Sequence, residues 1–371
     1  MSVNNGITYV GLDAHRKSIN VAVILPDAEG ISDQWQIAHD PRCVKRLATK
    51  LLAMSAAPVV AAYEAGPCGY ALQRRLEALG IECWVVAPSL VPVKPGERIK
   101  TDRRDACKLA SLLQAGLLTR VHPPSPEQEA LRDLSRARED ARHDLMRARH
   151  RLSKMLLRQG LCFSETRNWT KKHRAWLRSL RLEQPGAQQV VDHYLLAIDQ
   201  TEQRLDELEN RLTEHAASAP YAQPVGWLRC LRGVDTVTAM IILTELHDFR
   251  RFASPRDLMA YLGLIPSESS SSTRVRRGSI TKAGNSHLRR VLIEAAWNYR
   301  HRPAVSAAMK ARRKHQPAAV IAIADRAQVR LHRRYFKLKE AYQKPHNVVT
   351  VAIARELAGF IWAVLNHQPA P

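Results

Sequence analysis

The sequence predicts an α/β domain in the first third of the chain and helical regions in the remainder. Two observations carry this. Apolar runs of strand length alternate with helical patterning up to about residue 118, and from about residue 127 the apolar spacing becomes helical. The order in the first third is three strands, helix, strand, helix, strand, helix. That is the order of a ribonuclease-H-like fold, in which an antiparallel three-strand start leads into parallel crossover units.

Each element has its own signal. "ITYVGLDA" is rich in β-formers and ends in an acid, Asp13. "NVAVILPDAEG" is an apolar run closed by turn formers. "ISDQWQIAH" places Ile31, Trp35 and Ile37 on alternate positions, as a third strand does. Pro41 to Met54 reads as an amphipathic helix, and "PVVAAYEAG" as a buried strand ending at Glu64. A helix from about Tyr70 to Leu79 and the strand "IECWVVAP" follow, then a helix from near Asp102 to Leu118.

The last helix opens on "KTDRRDACKLA", a close acidic pair among basic residues. Acids in a first turn suit the helix dipole whatever the protein does. The fold order adds a second purpose. Asp13 would end the first strand, Glu64 the fourth, and Asp102 and Asp105 share one helix face, so four carboxylates are expected at one end of the sheet. Clustered carboxylates repel one another and call for a cation. Mg²⁺ prefers such hard oxygen ligands, and a metal pair stabilises both the attacking and the leaving oxygen in phosphoryl transfer.

Composition narrows the partner. Of 371 residues, 57 are Lys or Arg and 35 are Asp or Glu, a net charge of +22 that favours a polyanion, nucleic acid first. No apolar run is expected to reach the roughly 18–20 residues of a membrane span. "MSVNNGITYVGLDAH" lacks a signal-peptide pattern, so a cytoplasmic, nucleoid-associated protein is expected. Six scattered cysteines without a C-x-x-C pair argue against a zinc knuckle or a disulfide framework.

In the middle, Leu131, Leu134, Arg138, Ala141, Leu145, Ala148, Leu152 and Met155 step by three and four, a heptad seam with one polar interruption. Val191, Leu195, Ile198, Leu205 and Leu212 form a second seam. The pair reads as an antiparallel helical hairpin or coiled coil, either packed within the chain or used as a dimerisation arm. Arg136, Arg138, Arg142, Arg147, Arg149 and Arg151 are suited to follow a phosphate backbone.

The last third opens on "WLRCLRGVDTVTAMIILTEL", similar to a helix-hairpin-helix, with Asp235 where a second glycine is usual. In that motif the backbone N–H groups at the second helix start bind phosphate. Then comes "GLIPSESSSSTRVRRGSITKAGNSHLRR", serines ringed by Arg274, Arg276, Arg277 and Lys282. Arginine forks bind phosphate, and a serine held against it can form a phosphoserine ester. A Ser-rich flexible linker is the bland alternative.

"YVGLDAH", "YEAGPCGY", "KTDRRDACKLA" and "GLIPSESSSS…GSITKAGNSHLRR", in this order, resemble the DEDD transposases of bacterial insertion sequences, the IS-one-ten family of bridge-RNA-guided serine recombinases. The resemblance covers nearly the whole chain. It implies a RuvC-like DEDD domain over residues 1–125, a helical coiled-coil region over 126–218 and a transposase domain over 219–371. It also implies Mg²⁺ held by Asp13, Glu64, Asp102 and Asp105, and a nucleophilic serine five residues after the proline of "GL-x-P", here Ser271. The family usually carries glycine next where this chain has Ser272, so Ser270 and Ser272 stay open as alternatives. DNA, an element-encoded noncoding RNA and a homodimer or homotetramer are the implied partners. A RuvC-type junction nuclease and a non-catalytic nucleic-acid-binding scaffold are the rival readings.

Overall fold

The computed structural model describes residues 6–26, 28–54, 56–92, 101–269 and 276–367. The chain divides into two compact units, Met1–Pro124 and Ser125–Pro371.

Among its described residues, the first unit has a six-stranded sheet and three α-helices. Its elements are β1 (Thr8–Ala14), β2 (Ser18–Ile24), β3 (Asp33–Ala38), α1 (Pro41–Met54), β4 (Val59–Glu64), α2 (Ala71–Ala78), β5 (Glu82–Val86), α3 (Asp102–Gln114) and β6 (Arg120–Val121). The strand order is β3-β2-β1-β4-β5-β6. β1, β2 and β3 pair antiparallel, whereas β1–β4 and β4–β5 pair parallel. This is the expected antiparallel start with parallel crossovers. β6, too short to announce itself in sequence, adds an antiparallel edge to β5.

The sheet is covered on both faces, as parallel strands require. Val10, Leu12, Ala61, Tyr63 and Val85 pack with Val44, Leu47 and Leu51 of α1 and Leu72 and Leu76 of α2. The opposite face, with Val60, Ala62, Ala22 and Ile24, takes Ala106, Leu109, Ala110 and Leu113 of α3. Gly11 lets α3 come this close: a Cβ there would lie 2.0 Å from the Ala106 carbonyl oxygen and 2.5 Å from the Ala110 nitrogen. α3 stops at Gln114, short of the expected Leu118, because Gly116 takes a left-handed φ of 67° and turns the chain.

Among its described residues, the second unit is helical apart from one small hairpin. It contains α4 (Pro126–Arg158), α5 (Lys171–Ser179), α6 (Pro185–Ala216), α7 (Ala222–Leu228), α8 (Thr236–Leu246), α9 (Pro255–Tyr261), β7 (Pro266–Glu268), β8 (Arg277–Ile280), α10 (Ser286–Ala296), α11 (Ala307–Arg313), α12 (Ala318–Phe336) and α13 (His346–Leu365). α4 begins with Ser125 and Gln128 in a reciprocal capping box.

α4 and α6 pack antiparallel, with Leu145, Leu152 and Met155 against Val191 and Ile198. The polar interruption of the first seam, Arg138, is an ion pair across the hairpin to Glu209. Both seams are therefore used within the chain. The sequence reading separates residues 126–218 from 219–371, but Leu131 of α4 and Leu212 and Ala216 of α6 share one core with Trp227, Leu228, Met240 and Leu357.

Among the described residues, one helix is by length and composition apolar enough to cross a membrane: α13, with a mean hydropathy of 1.9 over its most apolar window. Here it is a core helix. Val349, Ile353, Leu357, Ile361 and Val364 are buried, and Arg355 and Glu356 interrupt the apolar run.

Candidate metal centre

Strand alternation decides where the acids point. Gly11 faces α3, so Asp13, two residues on, faces the same side. Leu12 of β1 lies beside Tyr63 of β4, which puts Glu64 next to Asp13 at the same sheet end. Val60 and Ala62 face α3, so Glu64 is on that face too. Its side chain is exposed.

Asp102 and Asp105 occupy the first turn of α3, over this sheet end. Thr101 is the cap: its side chain accepts from the Arg104 N–H at 3.3 Å, so neither aspartate serves as the cap. A histidine that the sequence reading does not name joins Asp13 and Asp102. Nε2 of His15 lies 3.1 Å from Oδ2 of Asp13 and 3.5 Å from Oδ2 of Asp102. The ligating atoms of Asp13, His15 and Asp102 all fall within 4.8 Å of one another. Glu64 and Asp105 are outside this trio.

The electrostatics suit a cation. Burial raises the Asp13 carboxyl above its ordinary value; His15 pulls it down, and the charges of Asp102 and Asp105 push it up. A half-buried carboxylate with like charges beside it gains from a bound cation, and oxygen donors of this kind fit a hard divalent ion. Beside the trio, Ala14, His15, Arg16, His39, Pro67 and Cys68 line an open cleft of about 540 Å³.

The expected nucleophile, Ser271, and its neighbours Ser270, Ser272 and Arg274 lie outside the described residues. What brackets them is described. β7 and β8 pair antiparallel, Pro266 with Ile280 and Glu268 with Arg277, and the Ser269 N–H donates to the Arg276 carbonyl at 2.9 Å. The base of this hairpin is interlocked. A Cβ on Gly284 would lie 1.9 Å from the Tyr261 carbonyl oxygen, and one on Gly263 would lie 2.2 Å from that of Ala283. Asn285 then caps α10 and donates from Nδ2 to the buried Glu245 at 2.7 Å. Arg136 of α4 grips the same carboxylate through two bonds, 2.7 and 2.9 Å, and holds it below its ordinary value despite burial.

Two sequence expectations about phosphate contacts change. Of the six arginines of α4 offered to a phosphate backbone, five are held by carboxylates: Arg136 by Glu245, Arg138 by Glu209, Arg142 by Glu139, Arg147 by Asp144 and Arg149 by Glu202. The acids of α6 and α8 that hold three of them are distant in sequence, so the pairing could not be read there. In the helix-hairpin-helix-like segment, Asp235 caps α8 and accepts from the Thr238 N–H at 2.7 Å. A carboxylate thus takes the place where that motif receives a phosphate.

Comparison with known proteins gives consistent matches along the chain. Residues 10–159 match a DEDD transposase family of IS110 elements, and residues 227–311 match the family described as transposase IS116/IS110/IS902. The chain is similar to "Putative transposase y4qE" of Sinorhizobium fredii, 40% identical over 97% of this chain and 88% of the relative. It is also similar to "Transposase for insertion sequence element IS1533" of Leptospira borgpetersenii, 35% identical over 91% of this chain and 98% of the relative. A third relative, "Transposase for insertion sequence element IS1328" of Yersinia enterocolitica, is 24% identical over 66% of this chain and 72% of its own length.

Proposed function

The chain belongs to the IS116/IS110/IS902 family of insertion-sequence transposases, and from that membership we propose that it cuts and rejoins DNA through a metal-assisted phosphoserine intermediate, guided by a structured RNA encoded in its element. The observation that carries the metal-assisted step is the meeting of Asp13 and Asp102 around one small volume on the α3 face of the sheet. In this reading the first unit is ribonuclease-H-like, and Asp13, Glu64, Asp102 and Asp105 hold Mg²⁺. An ion held by these four carboxylates would supply Lewis-acid stabilisation of the charge that develops on the scissile phosphate.

The chain's own residues do the rest. Ser271 Oγ forms a new bond to phosphorus as the bond to one DNA oxygen breaks, and the hydroxyl proton ends on the DNA hydroxyl released. One phosphoester replaces another, so the strands can be rejoined without a nucleotide cofactor. Arg276, beside the loop, is exposed and suited to hold phosphate. The interlocked glycines and the Glu245–Arg136 clamp fix the base from which the serine loop extends. Base pairing by the RNA supplies sequence choice, leaving the protein mainly backbone contacts, for which its net charge of +22 is suited.

The test is a nicked suicide DNA substrate resolved on a denaturing gel, with the modified peptide mapped by mass spectrometry. A protein–DNA adduct at Ser271, lost in Ser271→Ala and kept in Ser270→Ala and Ser272→Ala, is the expected result. An adduct at Ser270 or Ser272 moves the nucleophile. Free hydrolytic ends without adduct turn the reading to a RuvC-type junction nuclease, and no cleavage at all turns it to a scaffold. Sequencing the RNA that copurifies with the protein tests the guide.

A further inference from the structure

We propose that His15 is a nitrogen ligand of the same metal centre and that it tilts the site toward transition-metal cations relative to Mg²⁺. This rests on the metal-site reading above.

The backbone holds His15 in place. Its N–H donates to the Ser18 carbonyl at 2.9 Å, and its own carbonyl accepts from Nδ1 of His39 at 2.6 Å. From this anchored turn after β1, Nε2 reaches between two carboxylates, 3.1 Å from Asp13 and 3.5 Å from Asp102. The contact with Asp13 is a hydrogen bond, and the approach to Asp102 brings a second carboxylate oxygen to the same ring nitrogen.

The spacing fits coordination. Two donors each about 2.1 Å from a shared cation, and about 90–110° apart, are separated by about 3.0–3.4 Å. The separations from Nε2 to Asp13 and Asp102 lie at or close to this range. The three donors come from β1, the turn after it and α3, so they approach from different elements. The cleft beside His15 leaves room for water or a phosphate oxygen to complete the coordination.

The chemistry gives the direction. Mg²⁺ prefers oxygen donors, whereas imidazole nitrogen favours later divalent metals such as Co²⁺. A site with only Asp and Glu ligands treats these ions more evenly than one in which His15 binds.

The experiment uses the full-length protein with metal alone. Pulsed EPR on bound Mn²⁺ reads directly coordinated nitrogen, and titrations with Co²⁺ and Mg²⁺ read selectivity. Wild type is expected to show nitrogen coupling that disappears in His15→Ala and His15→Gln. Co²⁺ affinity is expected to fall about tenfold in both variants, a loss typical of removing one group that supports a metal, while Mg²⁺ affinity changes little. The His15 side chain is 53% exposed, so neither variant threatens the fold. Absence of nitrogen coupling in Mn²⁺-loaded wild type, or an unchanged Co²⁺-to-Mg²⁺ ratio in His15→Ala, overturns the proposal and leaves the carboxylate site standing. Full metal binding by both Asp13→Ala and Asp102→Ala overturns the metal-site reading itself.

Discussion

Asp13 and Asp102 are 89 positions apart and share one histidine, and that meeting is the tightest constraint on what the chain does. Replacing Asp13, Glu64, Asp102 or Asp105 singly by Ala is expected to lower strand exchange by about a hundredfold or more, the scale of losing a group that stabilises transition-state charge. RNA retention on a filter should be nearly unchanged. Near-normal exchange in both Asp102→Ala and Asp105→Ala would remove the metal site from the mechanism. A second residue sets acid sensitivity. Burial in the second unit lowers His247 from its ordinary 6.5 to about 4. Folded His247 therefore stays neutral while the unfolded chain takes up a proton, so stability falls as pH drops from 6.5 toward 4 and is unaffected by this group above that window. His247→Asn, which tolerates the left-handed φ of 54° at this position, should flatten the decline of Tm across the window. The acids were legible in the sequence because strand ends and a helix start could be placed by pattern. His15 was not, since "LDAH" shows only that a histidine follows a strand, and its meeting with Asp102 is set by how α3 lies on the sheet.

α3 reaches the sheet through Gly11, and this packing carries the acidic pair to Asp13. Gly11→Ala would force a methyl against the α3 backbone and is expected to cost the first unit about 1–3 kcal/mol, the usual scale of overpacking. Because α3 must shift, Co²⁺ affinity should fall together with stability, both read on one preparation by calorimetry and denaturant titration. A stable Gly11→Ala protein with unchanged metal affinity would show that α3 does not need this seat. Most elements of the first unit followed from apolar runs and turn residues, whereas its β6, two residues long, and β7 of the second unit, three, are too short for any alternation to register. The arginines of α4 look like a basic stripe in sequence, and only the packing of α6 and α8 brings Glu209, Glu202 and Glu245 to three of them. α13 is apolar because it lies in a core, a distinction that composition does not carry.

Under the proposed RNA-guided exchange, the working assembly would hold two nucleic acids and would need more than one active site. Because the seams of α4 and α6 are spent inside the chain, an assembly that used this hairpin would have to use its exposed apolar residues, such as Met146, Leu157, Val190 and Leu196. Light scattering of the exchange-competent nucleoprotein complex should give two or four copies; a single protomer would contradict that assembly. DNA affinity should fall steeply with salt, as expected for a chain of net charge +22 that binds mainly phosphates. The order of the motifs along the chain was legible in the sequence, whereas Ser270, Ser271 and Ser272 lie outside the described residues. The measurement that bears most directly on the account is anomalous X-ray diffraction from crystals of the protein–DNA complex grown with Mn²⁺. The account predicts a peak within coordination distance of Asp13 and Asp102, on the α3 face of the sheet. A complex saturated with Mn²⁺ that shows no peak there, or shows it only at other residues, would contradict it.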